Sequence, residues 1–306
     1  MNNSRIPAAI CIIAIIVISL YSGYIINNVL ASNTPLPVQF TLGKVERNVV
    51  YSGSQTMDIY IPNVTSARPL PLVIYVHGGG MTSGDKSNIN PIFLNTLASS
   101  GYAVASINYR LAPYYKYPDQ IQDVKCAIRY LRSNAQMYRV NGSEIFAFGT
   151  SAGGQLVTLA ALLGPNSTYD VGPYLNESSG ITAAVDMFGP TNLTEGGGYS
   201  STGILQVFGS NTSNEVMASP SYFVTANSPP IMIVQGINDT KVPDSQSIEL
   251  FNKLTAAGDR TQLILVNNMG HMFMQVGSEP MNPTLEQIAQ NMVSFFDQYK
   301  QAGGSK

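Results

Sequence analysis

Phe148-Gly149-Thr150-Ser151-Ala152-Gly153-Gly154 decides how the rest of the chain is read. The residues before it, Glu144 to Phe148, are short, apolar and aromatic, the pattern of a buried strand. After it, Leu156, Leu159, Ala160 and Leu163 recur at helical spacing. Ser151 therefore lies at a strand–turn–helix junction inside a Gly-x-Ser-x-Gly pattern. A turn this sharp holds its central residue in a strained backbone conformation. A Cβ at Gly149 or Gly153 is expected to strike the neighbouring strand or helix. The result is a hydroxyl raised above a sheet edge, with the amide of Ala152 beside it at a helix N-terminus.

A serine hydroxyl needs a base, and the base needs a carboxylate to orient it. When the nucleophile sits on such a junction, acid and base follow it in the chain. The sequence has two histidines, and only His271 follows Ser151. It lies in Asn268-Met269-Gly270-His271-Met272, just after a predicted strand. The acid is expected after a strand too. Asp239, in Gln235-Gly236-Ile237-Asn238-Asp239-Thr240, is the first choice. Asp244 is the competitor but reads as a helix N-cap after Pro243, and Asp186 is the outside choice. Because the base must be neutral, activity should fall as acid protonates His271.

His77-Gly78-Gly79-Gly80 follows the apolar strand Leu72–Val76. Three consecutive glycines let backbone amides approach a ligand with no side chain between. The amides of Gly79, Gly80 and Ala152 are the candidates to hold an oxyanion, each worth on the order of 3 kcal/mol of barrier. His77 reads as support for this loop.

Composition narrows the class. The 306 residues are 44% hydrophobic, enough for one large domain, and a net charge of −2 gives nucleic acid no footing. Two histidines and two cysteines, Cys11 and Cys126, leave no metal cluster or redox pair, so neither metal nor organic cofactor is expected. Ile6 to Leu20 is almost wholly apolar, preceded by Arg5 and weakly continued to Ile26. This predicts a hydrophobic helix within residues 1–31 acting as signal anchor or signal peptide. It implies an extracytoplasmic location, membrane-anchored or secreted. Residues 32–44 read as a linker and 45–306 as the catalytic domain.

Within that domain the elements alternate. Strands are predicted at Val45–Tyr51, Met57–Ile61, Leu72–Val76, Ala103–Ile107, Glu144–Phe148, Ile181–Phe188, Ile231–Gln235 and Gln262–Val266. Helices are predicted at Ile89–Ser100, from Pro118, after Ser151, at Ser245–Ala257 and at Pro283–Tyr299. Such alternation implies an α/β fold, a mostly parallel sheet with helices on both faces and its site at the carboxyl ends of the strands. Residues 189–223, rich in Gly, Ser, Thr and Asn, read either as a cap or lid or as a plain surface excursion.

Taken together, the junction at Ser151, the His77–Gly80 glycines, Tyr109-Arg110-Leu111-Ala112-Pro113 and the Asp239 and His271 loops resemble an α/β-hydrolase. The resemblance runs from about Leu70 to the C-terminus and is nearest to carboxylesterases of the hormone-sensitive-lipase-like and feruloyl-esterase-like (BD-FAE) group. It includes Tyr117 to Ala135 and Ala218-Ser219-Pro220-Ser221. It implies an α/β-hydrolase fold, a small-molecule ester substrate and a Ser151–His271–Asp239 triad working through an acyl-enzyme. A prolyl-oligopeptidase-like peptidase and a non-catalytic binding module on the same fold are the alternatives. Relatives often place an aromatic residue after the glycines; here stand Met81 and Thr82, and the chain has no Trp. The acyl or alcohol pocket is therefore shaped differently. Met187, Phe188, Met269, Met272 and Phe273 read equally well as pocket wall or as core.

Overall fold

The structure, a computed structural model, describes residues 42–195 and 198–301. The apolar N-terminal segment, with its anchor or signal reading, lies outside the described residues. Among the described residues, no helix is long and apolar enough to cross a membrane.

Eight strands form one sheet: β1 (Leu42–Ser52), β2 (Gln55–Pro62), β3 (Leu70–Val76), β4 (Ala103–Ile107), β5 (Val140–Thr150), β6 (Ala184–Met187), β7 (Ile231–Gly236) and β8 (Thr261–Val266). Their spatial order is β1-β2-β4-β3-β5-β6-β7-β8. The first two pairings, β1 with β2 and β2 with β4, are antiparallel; every later one is parallel. The main helices are α1 (Pro91–Ser99), α2 (Asp119–Ser133), α3 (Ala135–Tyr138), α4 (Ala152–Leu163), α5 (Ser201–Val207), α6 (Thr212–Met217), α7 (Asp244–Ala257) and α8 (Leu285–Asp297).

The period-2 alternation of the strands splits the core in two. Leu72, Ile74 and Val76 of β3, Ile145 and Ala147 of β5, and Ile231 and Ile233 of β7 face one cluster, which α2, α4 and α7 cover. Val73 and Tyr75, Phe146 and Phe148, and Met232 and Val234 face the other, covered by Phe93 and Leu97 of α1 and by Ile288, Met292 and Phe296 of α8. Burying each such side chain contributes about 1.5–3 kcal/mol before conformational entropy is set against it.

Parallel register aligns the strand ends. Val76 pairs with Gly149, Thr150 with Met187, Met187 with Val234 and Gly236 with Val266. The loops after β3, β5, β6, β7 and β8 therefore emerge along one rim.

Some boundaries differ from the sequence reading. The sixth strand is Ala184–Met187 rather than Ile181–Phe188; the backbone turns at Phe188, φ 49°, whose amide still donates to the Val234 carbonyl. The first helix starts at Pro91 rather than Ile89, since Asn90 caps it and accepts from the Ile92 amide. The last starts at Leu285, where Thr284 and Gln287 form a capping box. Asp244 is not an N-cap: Pro243 holds that position without a side-chain bond, and Asp244 is the first helical residue. The segment read as irregular, 189–223, contains α5 and α6 with 3-10 turns at Leu193–Glu195 and Pro220–Tyr222. The Gln246 side chain accepts the amides of Thr191 and Asn192, and the Tyr117 hydroxyl donates to the Met217 carbonyl, fixing the segment to the main body.

Candidate active site

The turn between β5 and α4 is as tight as its glycines imply. Ser151 has φ 53° and ψ −122°, a conformation side chains rarely adopt. A Cβ on Gly149 would lie 2.3 Å from the Gly153 carbonyl carbon, and one on Gly153 would lie 2.0 Å from the Val76 oxygen. Both approaches are to backbone, which has no rotamer to yield. The Ser151 amide donates to the Met187 carbonyl at 2.8 Å, locking the turn to the end of β6.

Three side chains from separate strand ends meet here. Ser151 Oγ lies 2.9 Å from His271 Nε2, and His271 Nδ1 lies 2.7 Å from Asp239 Oδ2. A neutral imidazole with its proton on Nδ1 serves both bonds: Nδ1–H donates to the carboxylate, and Nε2 accepts from the serine hydroxyl. Asp239 is well supplied with donors. Its Oδ1 accepts the amides of Lys241 and Val242 at 2.8 and 3.0 Å, and the Gln235 amide group donates to Oδ2 at 3.4 Å. Burial alone would raise its pKa. The bond from His271, with the Val242 and Lys241 amides, outweighs burial and holds the carboxyl below its usual range.

The other two acid candidates are placed elsewhere. Asp244 begins α7, and the carboxylate on His271 is that of Asp239. Asp186 is fully buried and accepts the Gly189 amide at 2.8 Å. Burial lifts its pKa to about 7, against the pull of the Gly189 amide and the Thr158 hydroxyl.

The loop bearing His271 is braced on both sides. Asn238 donates its amide to the Met269 carbonyl, tying the acid loop to the base loop. Gly270 donates to Met274 and Val276 to Asn268, closing the turn around His271. Met272 and Phe273 both take positive φ, 58° and 61°, a second focus of backbone strain on the rim. Phe188 stands edge-on to the His271 ring at 5.1 Å and to Phe273 at 4.8 Å. Of the five apolar wall candidates, Met187 and Met269 are core. Phe188 is buried against the imidazole, Phe273 packs on Phe93 and Phe188, and Met272 is half exposed.

The glycine loop lies against the serine turn: a Cβ on Gly78 would sit 2.8 Å from the Thr150 oxygen and 3.2 Å from Ser151 Cβ. Among the described residues the amides of Gly79, Gly80 and Ala152 donate to no other group of the protein. The Gly79 carbonyl accepts from Thr82 and Ser83, which shapes the loop. His77 supports it, donating Nδ1–H to the Gly78 carbonyl at 2.7 Å and stacking on Tyr109 at 4.3 Å. Burial pushes its pKa down, which favours the neutral ring.

Gln235 escaped the sequence reading, which treated it as the end of an apolar strand. It is fully buried, donates to the Val242 carbonyl and accepts from the Ser247 hydroxyl, holding the turn that carries Asp239. A polar residue closing a buried strand was the available signal.

A mixed sheet with two antiparallel pairings at one edge, a serine on the β5–α4 turn and a histidine after the last strand defines an α/β-hydrolase. The profile of the BD-FAE family matches residues 57–254, and the chain belongs to that family. It is 28% identical to Esterase LipC of Mycobacterium tuberculosis over 256 residues, 79% of this chain and 63% of LipC. It is also 28% identical to the probable carboxylic ester hydrolase LipM of the same organism, over 64% of this chain and 48% of LipM. The chain thus spans less than two thirds of the length of these curated relatives. A solved truncated carbohydrate esterase from gut microbiota is similar at TM-score 0.73 and 28% identity, over 86% of this chain and 98% of that one.

Proposed function

We propose that the chain is a serine hydrolase cleaving carboxylic esters through an acyl-enzyme. The observation that carries this reading is the hydrogen-bonded series Ser151–His271–Asp239, 2.9 and 2.7 Å, built from three loops on one rim. Ser151 Oγ attacks the ester carbonyl carbon while His271 Nε2 takes its proton. Asp239 holds the imidazole in the tautomer that accepts at Nε2 and stabilises the imidazolium without taking the proton. The oxygen that gains charge lies toward the amides of Gly79, Gly80 and Ala152. The Ala152 amide opens α4, where the helix dipole favours negative charge. His271 returns the proton to the departing alcohol. Water, activated by the same imidazole, then releases the acid and restores Ser151. The names of LipC, LipM and the carbohydrate esterase support ester bonds as the substrate class.

Hydrolysis of 4-nitrophenyl acetate by the purified chain tests this. Ser151→Ala should lower kcat by about four orders of magnitude or more with little change in fold stability. Equal rates for wild type and variant would sink the reading. We also propose an extracytoplasmic location, supported by Arg5 ahead of the apolar run Ile6–Leu20. Fractionation of cells expressing the chain with and without residues 1–31 tests it: both forms in the cytosol would contradict it.

A further inference from the structure

The residue after the glycines turns away from the site. Met81 is fully buried in the core and Thr82 is exposed to solvent. What stands beside the loop instead comes from the segment after β6. A Cβ on Gly80 would meet Thr82 Oγ1 at 3.8 Å and Tyr199 Cε1 at 4.0 Å, both ordinary contact distances. The Tyr199 ring therefore lies beside Gly80 in the glycine loop.

That ring is held from several directions. Its hydroxyl donates to Gln155 Oε1 at 2.9 Å. Gln155 is fully buried on α4, one turn past Ser151, and its amide group donates to the Ala218 carbonyl at 2.9 Å. Phe208 meets the ring edge-on at 5.4 Å. The preceding residue, Gly198, lies against the acid loop: a Cβ would fall 2.7 Å from Val242 Cγ2 and 3.0 Å from the Lys241 carbonyl oxygen. Lys241 and Val242 are the residues whose amides hold Asp239. Gly198 and Tyr199 thus reach from the acid loop to the oxyanion loop.

We propose that Tyr199 is the specificity-determining residue of the site, limiting the size of the ester group that lies beside Gly80 and selecting compact esters. This rests on the ester-hydrolase reading above. The steric limit comes from the ring, and the hydroxyl acts only by fixing the ring through Gln155. Tyr199 neither donates to the oxyanion nor moves a proton.

The test uses the full chain and two series of esters, one of 4-nitrophenyl esters graded from acetate to octanoate and one of acetates graded in the alcohol. Wild type should show kcat/KM falling with size in the series whose variable group lies beside Gly80. In Tyr199→Ala that fall should flatten, with bulky esters gaining roughly tenfold or more relative to acetate, the scale set by a methylene or two in a fitted pocket. Tyr199→Trp should steepen the fall. Tyr199→Phe should keep the wild-type size profile with a modest rise in KM. The opposite signs of the Ala and Trp variants keep the proposal open to refutation if either one folds poorly. An unchanged size profile in the Ala or the Trp variant, or a uniform loss on every ester, would overturn the role of Tyr199 and leave the hydrolase reading standing. Wild type inert toward every ester would instead overturn the hydrolase reading, and this proposal with it.

Discussion

The rim loops and the segment 189–223 occupy the same end of the sheet but are built differently. On the rim, Ser151, Met272 and Phe273 hold positive φ, and the site's polar side chains are bonded in series from Ser151 to His271, Asp239 and Gln235. In 189–223 the helices α5 and α6 have ordinary Ser200 and Asn211 caps, and Leu205, Val216 and Met217 remain exposed. Strain is tolerated where surrounding structure over-determines it, and that is where reacting atoms must be fixed. On the proposed reading the segment shapes a boundary of the site and performs no chemistry. On that reading, bond-breaking belongs to the rim and selection to the segment.

The strongest way to break that division is on the rim. Asp239→Asn should keep the geometry near His271 but favour the wrong tautomer, lowering kcat by about four orders of magnitude. Steady-state kinetics on 4-nitrophenyl acetate would show it, and a loss below tenfold would mean that another group orients the ring. Next, Gly153→Ala would drive a Cβ to 2.0 Å from the Val76 oxygen. Urea unfolding should record a loss of about 3 kcal/mol or more, since backbone on both sides must move.

A smaller effect is expected behind the rim. Asp186 has its pKa raised by burial to about 7, above the roughly 3.9 of an unfolded aspartate. Between those values the unfolded chain gives up the proton that the folded chain keeps. The contribution of this group is therefore fully present below about pH 4 and is lost as pH rises toward 7, by up to about 1.4 kcal/mol per unit. Asp186→Asn removes that slope. Thermal melts of both proteins at pH 5 and pH 8 should move in the variant's favour at the higher pH; parallel shifts would show that Asp186 does not titrate in that range. Asp239, held below its usual range, has the opposite sign: its contribution is present above about pH 4 and fades only in stronger acid.

The smallest effect is expected in the segment. Leu205 is 56% exposed, so Leu205→Ser should change stability by no more than about 0.5 kcal/mol and leave kcat on 4-nitrophenyl acetate within twofold. A large loss would mean that α5 contributes to the chemistry.

The same division governs what the sequence made legible. Gly149, Ser151 and Gly153 are adjacent in the chain, and their tight turn is a local demand that only certain residues meet. His271 is the candidate base by elimination, being the one histidine after Ser151, and Asp239 the candidate acid by its place after a strand. The mostly parallel sheet followed from alternation; the strand order did not. Tyr199 and Gln235 were not recognised, because each acts through partners remote in sequence: Gly80 and Gln155 for one, Val242 and Ser247 for the other. The early end of β6 was missed because apolar character continues through Phe188, while the chain has already turned there to bring that ring onto His271. The two helices in 189–223 are short, with few apolar repeats, and their stop signals look like loop composition.

The central claim, that His271 makes the Ser151 oxygen nucleophilic, is tested most directly by covalent trapping. The full chain, treated with a fluorophosphonate and digested for mass spectrometry, should carry one adduct, on Ser151, formed in step with the loss of 4-nitrophenyl acetate hydrolysis and absent from Ser151→Ala and His271→Ala. Ester hydrolysis that persists with Ser151 fully modified, or an adduct on another residue that tracks the loss of activity, would contradict it.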